Sequence, residues 1–328
     1  MVKKEISKQK KNVEDNEYDF IVIGAGVTGL AAAMYAARLE LRTLCLGTNS
    51  GSELPVGGVI TTTNIVENYP GFIRLTGEEL AGKIKEHALA YDKVSIKEEK
   101  VIEVRKKDNL FVVKTESGEY VGKAVLFATG TRWRKLDVPG SREFEGKGIA
   151  YCALCDAPFF KGKVAGVVGG SDASVKDALV LAEHAKKVYI IYRKEQLRAE
   201  PINLRRVKEK GNIEIINNTN VVEIKGDSKI RKVVLDKEHN GKKELELDGL
   251  FIAIGHLAIS EIAENIGVEL NEKKEIIIDH KTSETNMNGI YAAGDVADKP
   301  FKQAITGVAE GCTAAYSAFE YIKENFVN

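Results

Sequence analysis

Two glycine-rich turns constrain this 328-residue chain more than any other feature. In the first, Tyr18-Asp-Phe-Ile-Val-Ile-Gly24 reads as a buried strand. It enters Gly24-Ala-Gly26-Val-Thr28-Gly29, then an alanine-rich helix to about Leu39 and a second strand at Thr43 to Leu46. In the second, Lys163-Val-Ala-Gly-Val-Val-Gly169 enters Gly169-Gly-Ser171-Asp-Ala-Ser174, then a helix to about His184 and a strand at Val188 to Tyr192. Strand, tight turn, helix and strand make the βαβ mononucleotide unit. Its pyrophosphate rests on the free N–H groups and positive dipole end of the helix. One such turn is a weak signal. Two, about 145 residues apart and each in the right context, predict an α/β chain with two Rossmann-like dinucleotide-binding domains.

The bulk numbers exclude several classes. Lys plus Arg and Asp plus Glu are both 48, so the formal net charge is zero and no basic footprint for nucleic acid exists. The longest apolar stretches, Gly24 to Ala37 and Leu250 to Ile254, are too short or too glycine-rich to span a bilayer. Residues Met1 to Glu17 mix lysines with acids and lack the apolar core of a signal peptide. They read as a flexible extension of a cytoplasmic protein.

Between the two turns, Thr76-Gly-Glu-Glu79 has the spacing of a capping box for a helix to about Tyr91. Alternating runs at Lys100 to Arg105, Leu110 to Thr115 and Tyr120 to Lys123 predict a small antiparallel sheet, and Val125-Leu-Phe-Ala-Thr-Gly130 closes the block. The same kind of pattern recurs after the second turn at Ile213 to Ile216, Val221 to Lys225 and Arg231 to Leu235, closing with Leu250 to Gly255. A strand at Gly289 to Ala292, a Gly294-Asp295 turn and a helix from about Ala304 complete the chain. Crossings near Thr129 to Arg134 and Ala253 to Leu257 make the first domain discontinuous.

Four cysteines in so long a chain form no disulfide framework, and Cys152-Ala-Leu-Cys155 reads as catalytic or metal-binding. A structural zinc needs four ligands. Cys45 and Cys312 sit in apolar contexts, and the histidines (87, 184, 239, 256 and 280) lack ligand spacing. No metal is therefore expected. The pair starts a short helix, whose N-terminus favours the nucleophilic thiolate.

The arrangement resembles the low-molecular-weight thioredoxin reductases over nearly all of the chain after Glu17. The resemblance rests on Gly24 to Gly29; Thr61-Thr-Thr-Asn-Ile-Val-Glu-Asn68-Tyr-Pro-Gly71; Ala128-Thr-Gly130; Val138-Pro-Gly140; Cys152-Ala-Leu-Cys155-Asp156; Arg193-Lys194 with Arg198; and Tyr291-Ala-Ala-Gly294-Asp295-Val296 with Gln303-Ala304. The specific element is the Cys-x-x-Cys-Asp just before the second turn. The resemblance implies an NADPH-dependent flavoenzyme that reduces the disulfide of a thioredoxin- or glutaredoxin-like protein, as a homodimer. It divides the chain into an FAD-binding domain, 18–129 with 254–328, and an NAD(P)-binding domain, 130–253, carrying the redox pair.

It also implies roles. Cys155 faces the flavin, Cys152 attacks the partner's disulfide and Asp156 serves as acid/base. Gly24, Gly26, Thr28 and Gly29 cradle the FAD pyrophosphate, Asn68 reaches the isoalloxazine region, Asp295 with Gly294 bonds the ribityl chain, and the last helix starts at Gln303-Ala304. Where the family has Gly-Gly-Gln-Leu, this chain has Gly57-Gly58-Val59-Ile60, so the glutamine contact is missing and Gly58 and Ile60 are left at that place. The acid expected about 20 residues past the first turn is replaced by Gly47, with Glu53 nearby. In the second turn Ser171 replaces the middle glycine after Gly169, and Ser174 replaces the Gly or Ala that packs the helix. The count past that turn lands on Tyr192, followed by Arg193, Lys194 and Arg198. Basic groups there suit a 2′-phosphate, hence NADPH. Ser171 leaves open another donor, such as ferredoxin, or a dithiol oxidase. With dithiol and nicotinamide site in one domain and flavin in the other, the domains are expected to swivel about Gly130 and Gly255.

Overall fold

The structure, a computed structural model, describes residues 16–47 and 55–326. The chain forms two compact units. One holds the described residues up to Arg132 and from Leu257 onward, the other Trp133–His256. Glu53 and residues 1–15 lie outside the described residues.

The first unit begins with β1 (Glu17–Ile23), so the strand starts at the last residue of the expected extension. Then follow α1 (Val27–Arg38), β2 (Thr43–Leu46), a 3₁₀ turn at Gly58–Thr62, α2 (Gly77–Leu89), β3 (Val94–Lys97), β4 (Val101–Lys107), β5 (Leu110–Thr115) and β6 (Glu119–Phe127). The chain leaves through β7 (Thr131–Trp133). The second unit holds β8 (Ile149–Ala150), α3 (Ala153–Asp156), a 3₁₀ turn at Ala157–Phe160, β9 (Val164–Val168), α4 (Asp172–Ala182), β10 (Lys187–Ile191) and α5 (Pro201–Glu209). It continues with β11 (Ile213–Ile216), β12 (Val221–Gly226), β13 (Ile230–His239), β14 (Lys242–Glu246) and β15 (Gly249–Ile252). The chain returns through β16 (His256–Ala258), paired with β7, to α6 (Glu261–Asn265), β17 (Ile290–Ala292), a 3₁₀ turn at Gly294–Val296 and α7 (Ala304–Phe326).

β1 shows why the first unit folds as it does. Its side chains alternate between opposite faces, as the strand period requires. Phe20 and Val22 enter a core of alanine-rich helix surface, while Ile21 and Ile23 enter the core against β4, β5 and β17. Both faces are covered, so the strand is apolar throughout. Each fully buried Phe or Ile contributes about 1.5–3 kcal/mol. The sheet runs β3-β2-β1-β6-β5-β4, with β17 also on β6. α2 starts with the expected capping box: Glu79 N–H donates to Thr76 Oγ1 at 3.1 Å and Thr76 N–H to Glu79 Oε2 at 2.8 Å.

Two sheet expectations are corrected. The runs at Tyr120 and Val125 are one strand, β6, which spans both parts of the sheet: Phe111 to Lys114 of β5 pair with its first half antiparallel, and β17 pairs with Val125–Phe127 in parallel. The antiparallel strands therefore extend the main sheet rather than forming their own. In the second unit, Ile213 to Ile216 joins the parallel sheet beside β10, ordered β11-β10-β9-β15-β8. The separate antiparallel sheet is β12-β13-β14. Among the described residues no helix is long and apolar enough to cross a membrane.

Candidate active site

The first turn folds tightly because Gly24 takes φ +112°, and a Cβ there would strike the Ala128 carbonyl oxygen at 2.2 Å. The chain thus passes from β1 to α1 directly beside the end of β6. Gly26 caps α1 with no side-chain hydrogen bond, and no acid stands in the first turn. The N–H groups that open a helix have no intrahelical partner. Here the turn leaves them to the groove it lines.

That groove is open on one side and has a cavity volume of about 250 Å³. Its walls bring together Gly24, Gly26, Thr28, Gly58, Ile60, Gly294, Asp295, Gln303 and Ala304 from four separate stretches of chain. Of the remaining expected residues in this unit, Gly29 packs under the turn, where a Cβ would meet the Gly24 carbonyl oxygen at 1.8 Å. Asn68 is tied to the groove through Gln303, its Nδ2 donating to Gln303 Oε1 at 3.0 Å. Gly47 also lines the groove, and the missing acid has a steric reason: a Cβ at Gly47 would lie 2.2 Å from the Ala25 Cβ.

Sequence reasoning missed the buttress of the Gly294–Asp295 turn. Lys299, with 4 % of its side chain exposed, donates to Glu310 Oε2 at 2.6 Å, and the same oxygen accepts the Gly294 N–H at 2.9 Å. Lys302, in the groove wall, donates to the Asp295 carbonyl oxygen at 2.7 Å and to Glu275 Oε1. These partners come from separate elements, so no local pattern could have announced them. The groove's uncapped helix start and its clustered glycine turns fit a bound dinucleotide.

In the second unit Cys152 and Cys155 form a disulfide at the start of α3. Cys152 is the N-cap, and its Sγ accepts the Cys155 N–H at 3.1 Å. A donor there favours the thiolate once the bond is reduced. Cys155 is exposed and Cys152 half-buried. Asp156 ends the same helix, half-buried, and burial raises its carboxyl above the ordinary range. Such a group keeps its proton to higher pH and can donate it. Cys45, by contrast, is fully buried and its thiol is pushed up to about 12 by desolvation, so it is inert. Among the described residues no group of three His, Cys, Asp or Glu could hold a metal.

Gly169 and Ser171 form the second turn, and Ser171 caps α4 without a side-chain hydrogen bond. Ser174 is buried and its hydroxyl donates to the Ser171 carbonyl oxygen at 2.7 Å, which is how a serine fits where helix and strand pack. Arg193, Lys194 and Arg198 are exposed on the segment after β10. Arg198 returns to the turn, pairing with Ser171 as an isolated bridge. Asp172, in the first turn of α4, accepts from Glu200 N–H and Asn203 Nδ2, both at 2.9 Å, and holds Lys176 at 2.8 Å.

The model of the family described as pyridine nucleotide-disulphide oxidoreductase matches residues 18–311. The chain is 39 % identical over 317 residues to the thioredoxin reductase of Bacillus subtilis (strain 168), covering 95 % of this chain and 96 % of that one. Among solved structures it is similar to thioredoxin reductase from Lactococcus lactis, with TM-score 0.88, 35 % identity, and coverage of 94 % of this chain and 99 % of that one. It is also similar to that from T. acidophilum, with TM-score 0.86, 34 % identity, and coverage of 93 % and 98 %. The chain belongs to the pyridine nucleotide-disulphide oxidoreductases and, within them, to the thioredoxin reductase family.

Proposed function

We propose that this protein is an FAD-dependent thioredoxin reductase passing electrons from NADPH to the disulfide of a thioredoxin-like protein. The observation that carries this is the Cys152–Cys155 disulfide on a helix start in the same unit as the second nucleotide turn. Residues 18–129 with 254–328 take the FAD: Gly24, Gly26, Thr28 and Gly29 its pyrophosphate, Gly294 and Asp295 the ribityl chain, and Gly58, Ile60, Asn68, Gln303 and Ala304 the ring end. Residues 130–253 take NADPH, its pyrophosphate at Gly169 and Ser171 and its 2′-phosphate at Arg193, Lys194 and Arg198. When bound, FAD supplies two-electron reduction of the Cys152–Cys155 bond.

The dithiol chemistry then balances within the chain's own residues. The Cys152 thiolate attacks one sulfur of the partner's disulfide; that bond breaks, a mixed disulfide forms, and the partner's leaving sulfur takes a proton from Asp156. Cys155 next gives its proton to the Asp156 carboxylate and attacks the Cys152 sulfur; the mixed disulfide breaks, the internal disulfide is restored, and the departing partner sulfur takes that proton, releasing the partner as a dithiol.

Ser171 and the Asp172 carboxylate at the turn support a second reading, in which another donor such as ferredoxin replaces NADPH. An anaerobic experiment separates them. Under the first reading NADPH bleaches the visible flavin band, and an oxidised thioredoxin restores it. Failure of NADPH alongside bleaching by reduced ferredoxin would establish the second.

A further inference from the structure

The stretch after β10 is laced onto the second glycine turn. Arg198 N–H donates to the Gly170 carbonyl oxygen at 2.7 Å, and Ser171 and Arg198 pair as a bridge. Glu200 N–H, two residues on, is held by Asp172 Oδ1. Between these anchors and β10 stands Tyr192, where a dinucleotide fold places the residue that meets the adenine ribose. Tyr192 is 6 % exposed, and its ring packs against Gly170 so closely that a Cβ there would meet ring carbons at 2.3 and 2.4 Å. Its backbone is fixed on both sides, by Ile216 O at 2.9 Å and Thr219 N at 3.0 Å. Its hydroxyl accepts Arg198 Nε–H at 3.2 Å.

A guanidinium whose Nε is held presents its outer Nη edge in a fixed plane, the edge that grips a phosphate with two hydrogen bonds. We infer that Tyr192 is a positioning residue that makes the second nucleotide site selective for a 2′-phosphorylated adenosine by holding Arg198 in the gripping orientation. This rests on the reading of the second unit as an NADPH site. An acid at position 192 would bond a bare ribose; a buried tyrosine instead converts the neighbouring arginine into a preorganised anion clamp. An exposed arginine without that anchor loses more side-chain freedom on binding.

The test is calorimetric titration of the holoenzyme with 2′,5′-ADP and with 5′-AMP, for the unaltered protein, Tyr192→Phe, Arg198→Met and the double variant. Tyr192→Phe keeps the ring over Gly170 and removes only the acceptor. It is expected to weaken 2′,5′-ADP roughly tenfold and leave 5′-AMP unchanged, with no further loss when added to Arg198→Met. Equal weakening of both nucleotides, no weakening of 2′,5′-ADP, or full additivity with Arg198→Met would overturn the inference. If the unaltered protein binds the two probes alike, the second site does not read a 2′-phosphate at all, and both the NADPH reading and this inference fall together.

Discussion

Glu310 uses one carboxylate oxygen to hold both the Lys299 ammonium, at 2.6 Å, and the Gly294 N–H, at 2.9 Å. This charged pair is the support on which the turn carrying Asp295 rests, and it ties α7 to the loop after β17. Glu310→Ala would leave a nearly buried ammonium and a backbone donor without their acceptor. Breaking a pair of this kind costs about 3 kcal/mol. The variant should purify with depleted flavin and a lowered melting temperature that added FAD partly restores. Full flavin content and an unchanged melting temperature would show that the turn stands without Glu310.

Burial raises the Asp156 carboxyl. It therefore keeps its proton to higher pH than an exposed acid, and a step that consumes this proton slows as pH rises through the raised value. Asp156→Asn should reduce partner turnover by about 10–100-fold and flatten that decline in a rate–pH profile. An unchanged profile would remove Asp156 from the proton transfer.

Asp177, half-buried on α4, is pushed up to about 7 by desolvation. Its folded value lies above the unfolded one. Stability is thus unaffected below about pH 4, where both states hold the proton, and falls as pH rises toward 7. Asp177→Asn should stabilise the protein at pH 8 by about 2 kcal/mol, discounted for partial exposure, and leave it unchanged at pH 4. Denaturant midpoints at the two pH values check the sign.

Gly47 directly follows β2, with no room for a side chain beside Ala25. Gly47→Glu, which supplies the acid other dinucleotide folds carry near there, should impair flavin retention rather than improve it. The flavin-to-protein absorbance ratio of the purified variant measures this.

What could be read from the sequence follows the range over which each signal acts. The buried strand β1, the Thr76 capping box, the start of α7 at Ala304 and the α/β class are local patterns, and the structure has them. β6 was divided because Gly122-Lys123 interrupts an apolar run; its unity depends on β1, β5 and β17, which are distant in sequence. β11 carries the residues of an ordinary short strand, and only its partner β10 makes it parallel. In the site, the glycine turns and Cys152-x-x-Cys155 were visible because chemistry fixes their spacing. Lys299–Glu310 and Lys302–Glu275 were not, since charged partners contributed by different loops and helices leave no periodic trace.

The most direct measurement is an anaerobic dithionite titration of the flavin-loaded protein, followed by its visible spectrum. A flavin in two-electron exchange with the Cys152–Cys155 disulfide should require about four electrons per flavin for full reduction, and Cys155→Ser only about two. Two electrons for the unaltered protein, with the disulfide intact afterwards by thiol counting, would contradict the account.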